Sequence, residues 1–306
     1  MTELERRIAA MVPGVLQPEG VSRLRIRTTQ PVLLLFNRGA DVPACVAQRG
    51  RRGELDASHE VMRRLRSSDP TLVAEPLGVL DDETGLTWGI SRGLPGWPWF
   101  TLPRHYPGAS GLALVTDVAL ATLRRFRRAV SAYDDWRLSE PLPACLAREL
   151  DGVYATHADI AAGVDSTTRR HWLAALEGVD PGRWHRQHGD FCVNNLLLHE
   201  RSASIVDFEE FGLANAPLHD AFSLAFSLHE FAERSGVEAS LAHLLAQCVD
   251  DDSLSGDLPP GTRTALLVHH LCWRINQCAT RPTRREIAAR LAHSLRTVID
   301  GLLTAD

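Results

Sequence analysis

Up to residue 91 the apolar positions come mostly in short runs, and from residue 112 they come mostly at helical spacing. Thr2–Met11 has the pattern of a short helix closed by Pro13-Gly14. Arg23–Thr28, Val32–Phe36, Ala44–Ala47, Leu72–Leu80 and Leu86–Ser91 read as strands, with Asn37–Asp41 and Asp81-Asp82-Glu83 as turns. Between them, Glu54–Arg66 carries Leu55, Val61, Met62 and Leu65 at helical spacing, and Ser67-Ser68-Asp69-Pro70 supplies a stop. Leu114, Val118, Leu120, Leu123 and Phe126 then mark a long amphipathic helix, with Arg124, Arg125, Arg127 and Arg128 reading as its solvated face. Cys145–His157, Thr168–Leu176, Asp220–Arg234, Leu241–Val249, Arg263–Cys278 and Arg284–Leu303 are further predicted helices, and Asp250–Pro260 is an acidic loop. The pattern predicts an α+β protein, a sheet with one helix followed by a mainly helical remainder.

Two short apolar runs interrupt the helical part. Leu196-Leu197-Leu198 and Ile205-Val206, joined by the polar His199–Ser204, predict a hairpin. Asp190 precedes the first run and Asp207 follows the second, so both acids fall at one end of the hairpin with Asn195 between them. One acid to orient a hydroxyl, with an Asn and a second acid as hard oxygen donors for magnesium, is the equipment of phosphoryl transfer.

Composition narrows the picture by exclusion. With 306 residues, one two-lobed unit or two domains are both allowed. A net charge of -5 argues against nucleic acid as a partner. No apolar run approaches the ~20 residues that span a bilayer, and the acidic start Met1–Glu5 does not read as a signal peptide. Cys45, Cys145, Cys192, Cys248, Cys272 and Cys278 form no C-x-x-C pair, which predicts buried, reduced thiols and a cytoplasmic protein. His269-His270 lacks metal-ligand spacing to partners, and no Ser-His-Asp or G-x-S-x-G arrangement competes for the chemistry.

His188-Gly189-Asp190, Asn195 five residues on, Ile205–Glu209 as I-V-D-F-E and the later Asp220-Ala221 together resemble the aminoglycoside phosphotransferase family, the small-molecule branch of the protein-kinase-like fold. The resemblance implies two lobes, a nucleotide-binding sheet over residues 1–95 and a helical lobe over 96–306 with the catalytic loop and the acceptor site. It implies transfer of the γ-phosphate of ATP or GTP to a hydroxyl of a small molecule such as an antibiotic, sugar or amino alcohol. Asp190 would orient that hydroxyl, His188 and Asp220 would brace the loop, and Asn195 and Asp207 would hold Mg2+, with Asn194 as a ligand only if the register shifts. Glu60 resembles the helix glutamate of kinases, and Thr87–Gly96 resembles the last sheet strand and hinge, where Ile90 and Arg92 would meet the nucleotide. Glu209 and Glu210 are open between substrate or metal contact and plain surface acids. Trp97, Trp99 and Phe100 read as packing, and Glu230 and Glu233 as surface acids or receivers of a cationic acceptor.

One departure stands out. All 33 basic residues are arginine, so the lysine that kinase-like folds carry on the third strand is absent. Either Arg49 supplies the cation and pairs with Glu60, or Gln48 faces the cleft as a neutral donor; strand alternation decides between them, with Gln48 inward as the reading taken. Gly50-Arg51-Arg52-Gly53 reads as a basic turn, solvated or reaching phosphates. The loss of lysine also motivates an alternative, a degenerate kinase-like protein that binds without turnover, which the intact Asp190, Asn195 and Asp207 oppose. No A-P-E activation segment supports a protein substrate. The sequence leaves acceptor and oligomeric state open.

Overall fold

The computed structural model describes residues 2–17, 22–26, 31–250, 254, 256–279 and 285–301. Residues 27 and 28 of the first predicted strand, 251–253 and 255 of the predicted acidic loop, and 284, 302 and 303 of the last predicted helix lie outside the described residues. The chain divides into two compact units: Met1–Tyr106 with Asp117–Ala129 and Asn194–Glu209, and Pro107–Thr116 with Val130–Val193 and Glu210–Asp306.

The first unit is built on β1 (Ser22–Ile26), β2 (Val32–Phe36), β3 (Cys45–Arg49), β4 (Pro76–Asp81) and β5 (Thr87–Arg92), an antiparallel sheet in the order β1-β2-β3-β5-β4. Strand alternation separates its faces. Leu33, Leu35, Cys45, Ala47, Leu80, Trp88 and Ile90 face a core that also takes in Ile8, Val12 and Leu16 from α1 (Glu3–Met11) and the turn after it. Thr2 and Glu5 cap α1 reciprocally, which fixes where that helix starts. On the other face lies α2 (Arg52–Ser68), so close that a Cβ at Gly89 would stand 2.9 Å from Leu55 Cδ2. The predicted basic turn is therefore shorter than expected: Arg52 and Gly53 already belong to α2, and Arg52 reaches Asp81 at 2.7 Å.

Leu72–Leu80 is not one strand. Pro76 opens β4 and a bulge interrupts the pairing between Pro76 and Gly78, while Leu72, Val73 and Ala74 are buried apart from that sheet. Val73 bridges to Ile205 and Leu72 O accepts from Ile205 N at 2.8 Å, which joins this stretch to the predicted hairpin. The hairpin itself, β6 (Leu196–His199) and β7 (Ser202–Ile205), is tighter than the polar run suggested: Glu200 and Arg201 alone make the turn, with Glu200 at φ 55°. Arg125, on helix residues counted in this unit, is no solvated residue. It forks onto both Asp69 oxygens at 2.8 and 2.9 Å and reaches Thr71 Oγ1 at 2.6 Å.

After a single turn α3 (Leu102–His105) and the long α4 (Gly108–Ser131), the second unit is helical: α5 (Leu142–Thr156), α6 (Ala158–Gly163), α7 (Ser166–Glu177), α8 (His219–Arg234), α9 (Leu241–Val249), α10 (Pro260–Ala279) and α11 (Arg285–Ile299). The short α6 had no pattern to predict it, since Ile160 is the single large apolar residue in its span. Helix α10 is the hub, packing against α5, α7, α8 and α11. Asn276 on α10 bonds the Glu149 carbonyl and carboxylate at Gly152, where a Cβ would come within 2.7 Å of the amide. All six cysteines are buried. Among the described residues no helix is long and apolar enough to cross a membrane.

Candidate active site

In the first unit, a cleft lies on the α2 side of the sheet. Its walls include Val46 and Gln48 from β3, Gly89 and Ser91 from β5, Ser58, His59 and Met62 from α2, and Asp207, Phe208 and Glu209 after β7. The register explains the choice between Gln48 and Arg49. Cys45 and Ala47 are committed to the core face, so Val46 and Gln48 take the cleft face, and Arg49 is exposed outside it. Gln48 Nε2 donates to Glu209 Oε1 at 3.0 Å, tying the third strand to the segment after the hairpin.

Helix α2 does not bring Glu60 to the cleft. Leu55, His59 and Met62 form the inward stripe at i, i+4 and i+7, and Glu60 is turned about 100° from His59. It lies exposed and pairs with Arg63, three residues on. Ser58 and His59, which the sequence reading passed over, stand at the cleft instead. His59 is buried, and burial followed by the charge of Arg63 holds its ring below the usual imidazole range. Ile90 is fully buried in the core and does not line the cleft. Arg92 does line it, with its Nε on Glu75 Oε2 at 2.6 Å and its amide on the Glu75 carbonyl at 2.8 Å.

The hairpin sets the two expected metal ligands. Leu196 pairs with Ile205, and Val206 N donates to Asn195 O at 2.9 Å, so the ladder runs one residue beyond the strands. Asn195 therefore stands directly before β6 and Asp207 two residues after β7, at one end. Asp207 adopts φ 65°, a left-handed conformation that Asp tolerates better than most residues, and it lines the cleft. Asn194 is exposed, whereas Asn195 is half-buried. Amide and carboxylate oxygens suit a hard cation that keeps waters and phosphate oxygens as its remaining ligands, so two protein donors fit magnesium.

The loop with Asp190 belongs to the second unit. Asp220, in the first turn of α8, accepts from His188 N at 2.7 Å and Gly189 N at 3.0 Å. Gly189 has φ 90°, and a Cβ there would meet Glu210 O at 2.3 Å, so only glycine fits. His188 is fully buried, with its ring edge-on to Phe191. His219 Nε2 lies 3.1 Å from the Gly189 carbonyl, which can only accept; Nε2 therefore carries the hydrogen, and His219 Nδ1 accepts from His270 Nδ1 at 3.2 Å. Burial first, then the positive charge of Arg274 among the neighbours, keeps both rings well below the imidazole range and neutral. The His269-His270 pair is thus core, and His270 is a brace for the loop.

Arg274 is the residue that sequence reasoning missed. Its Nη1 is 2.9 Å from Asp190 Oδ1 and 3.5 Å from Glu210 Oε2. Burial works against its charge, but the carboxylates of Asp190 and Glu210 outweigh burial and leave it more firmly protonated than a free guanidinium. Glu210 is buried beside this pair, unlike the exposed Glu209. Trp97 and Phe100 are exposed rather than packed, with Trp97 stacked on His105 at 3.7 Å, and neither lines the cleft. Glu230 pairs with Arg290 and Arg234, and Glu233 with His229, so both acids are engaged at the surface.

A search of curated proteins finds no significant match. Solved structures do match along nearly the whole chain. A thermostable mutant of aminoglycoside phosphotransferase APH(4)-Ia, in a ternary complex with ADP and hygromycin B, superposes with a TM-score of 0.64 at 15% identity, covering 98% of each chain. Wild-type aminoglycoside 2'-phosphotransferase-IIIa in its GDP complex gives 0.56 at 12% identity, covering 98% of this chain and 99% of that one. Amicoumacin kinase hAmiN, in complex with AMP-PNP, Ca2+ and Ami, gives 0.54 at 12% identity, covering 97% and 96%. These likenesses show the kinase-like fold. The sequence profile of the APH phosphotransferase enzyme family matches residues 36–264, a span that includes Gln48, Asp190, Asn195 and Asp207. The chain belongs to the phosphotransferase enzyme family.

Proposed function

We propose that the chain transfers the γ-phosphate of ATP or GTP to a hydroxyl of a small molecule, with Mg2+ held by Asn195 and Asp207. The observation that carries this reading is Asp207, turned into the cleft by its left-handed backbone at the end of a hairpin that begins with Asn195. The solved relatives bind ADP, AMP-PNP or GDP, and two of them also hold hygromycin B or amicoumacin, which supports a nucleotide donor and a small acceptor. When bound, the metal supplies positive charge to the phosphate oxygens. The protein's own work is positioning. Asp190 accepts a hydrogen bond from the acceptor hydroxyl and aims its oxygen at the γ-phosphorus. As the new O–P bond forms, the bond to the β-γ bridging oxygen breaks, the nucleoside diphosphate leaves and the hydroxyl proton passes late to Asp190. Gln48, held by Glu209, offers an amide donor where a lysine would otherwise stand.

That neutral donor favours a second reading, a protein that binds nucleotide or metabolite without turnover. Calorimetry with ATP and GTP, with and without Mg2+, on the wild type and Asp207→Ala separates the two. Magnesium-dependent binding that the variant loses at least tenfold, together with phosphate transfer in an acceptor screen, is the expected result. Nucleotide binding without transfer to any acceptor would leave the binding-protein reading, and no binding by the wild type would remove the proposed donor.

A further inference from the structure

We propose that Arg274 on α10 is the positioning residue for Asp190, the clamp that sets the direction of its carboxylate. The inference rests on the reading of Asp190 as the group that orients the acceptor hydroxyl. Three side chains carry it: Arg274, Asp190 and Glu210 are 17%, 25% and 10% exposed, and one guanidinium nitrogen faces both carboxylates at 2.9 and 3.5 Å. Two acids this close to a shared cation repel one another once the cation is gone, and Asp190, carried on a loop, then loses the charge that sets its direction. With Oδ1 fixed on Arg274, the plane of the Asp190 carboxylate is set, and so is the direction in which Oδ2 is presented.

The same helix acts on the residue before. His270, four positions ahead of Arg274 on one face of α10, reaches the Gly189 carbonyl through His219. Helix α10 therefore grips two consecutive residues of the loop, Gly189 by a neutral hydrogen-bond chain and Asp190 by charge. Asp220 holds the amides of His188 and Gly189 from α8, so the loop is fixed on its other side too. The hub of the second unit's packing is thus also what aims the catalytic acid, which no local motif would show.

The test uses Arg274→Gln, Arg274→Lys, Asp190→Asn and the Asp190→Asn/Arg274→Gln double variant. Each is melted to establish folding, then assayed for phosphate transfer from MgATP to water, kanamycin and hygromycin B, with nucleotide affinity measured by calorimetry. Arg274→Gln is expected to lower kcat about 100-fold, the scale of a small misplacement of a reacting group, with MgATP affinity within twofold of wild type. Arg274→Lys recovers part of that loss, since a single nitrogen makes both contacts. In the Asp190→Asn background Arg274→Gln adds nothing, and this comparison stands even where the single variant does not fold. A double variant tenfold slower than Asp190→Asn, or an Arg274→Gln enzyme at wild-type rate, overturns the inference about Arg274. Transfer undiminished by Asp190→Asn overturns the proposed function instead, and so does a wild type that transfers to none of the three acceptors, water included.

Discussion

At Asp220 a single carboxylate terminates two buried backbone amides, those of His188 and Gly189. Replacing it with alanine leaves both donors without an acceptor in a place that water does not reach, at a cost of about 1–3 kcal/mol for each. Asp220→Ala should therefore lose ~2–5 kcal/mol of stability in a urea titration. Asp220→Asn, which keeps one oxygen acceptor, should lose clearly less. Equal losses for both variants would mean that the two amides are not what Asp220 serves. Part of this was legible in the sequence, because the D-A pair after H-G-D carried the resemblance. The His219–His270 chain was not. Those rings are 51 residues apart, and only the fold of α8 against α10 makes them neighbours.

The hairpin and the third strand were readable because both depend on local alternation. A two-residue period fixes Gln48 opposite Cys45 and Ala47, and Asn195 directly before β6 and Asp207 just after β7 fall at one end of the hairpin. The phase of α2 was not readable in the same way. Each residue of error in where a helix begins rotates its faces by about 100°, and the real start at Arg52 put Ser58 and His59 rather than Glu60 towards the sheet. An exposed pair three residues apart contributes a few tenths of a kcal/mol. Glu60→Ala should thus leave nucleotide affinity and melting temperature close to wild type. Gln48→Ala, which removes a donor from the cleft wall and its bond to Glu209, should weaken MgATP binding severalfold. Calorimetry on the two variants checks this contrast, and a large loss in Glu60→Ala would contradict the helix phase. Arg274 escaped detection for a related reason: its contact with Asp190 spans 84 residues, and nothing in Arg274-Ile275-Asn276-Gln277 marks the first of them as buried.

Across the molecule, four buried histidines share a direction. His59, His219, His269 and His270 are all pushed below the imidazole range, by burial first in each case, and His269 falls to about 4. The unfolded chain takes up protons below pH ~6.5 that these folded rings refuse, so stability is complete above that value and falls as the pH drops towards the folded values. His269 alone would remove ~3 kcal/mol by pH 4. Melting temperature should be flat from pH 7 to 8 and fall steadily between 6.5 and 4.5. His269→Phe should flatten part of that slope, and a melting temperature unchanged down to pH 4.5 would show that the rings are protonated in the fold after all.

The six buried thiols have a use as built-in reporters. Cys45 lies in the sheet-bearing unit, and Cys145, Cys192, Cys248, Cys272 and Cys278 lie in the helical one. Burial lifts Cys45 to about 11 and Cys145 to about 12, so neither reacts as a thiolate while its surroundings stay closed. An alkylating reagent added to the native protein should therefore label each cysteine only when its own neighbourhood opens. Peptide mass mapping of the alkylated chain over time would give an opening rate for Cys45 and a separate one for the other five. A nucleotide that slowed only the first, or an acceptor that slowed only the second, would reveal which part of the chain each one steadies, with no label introduced from outside.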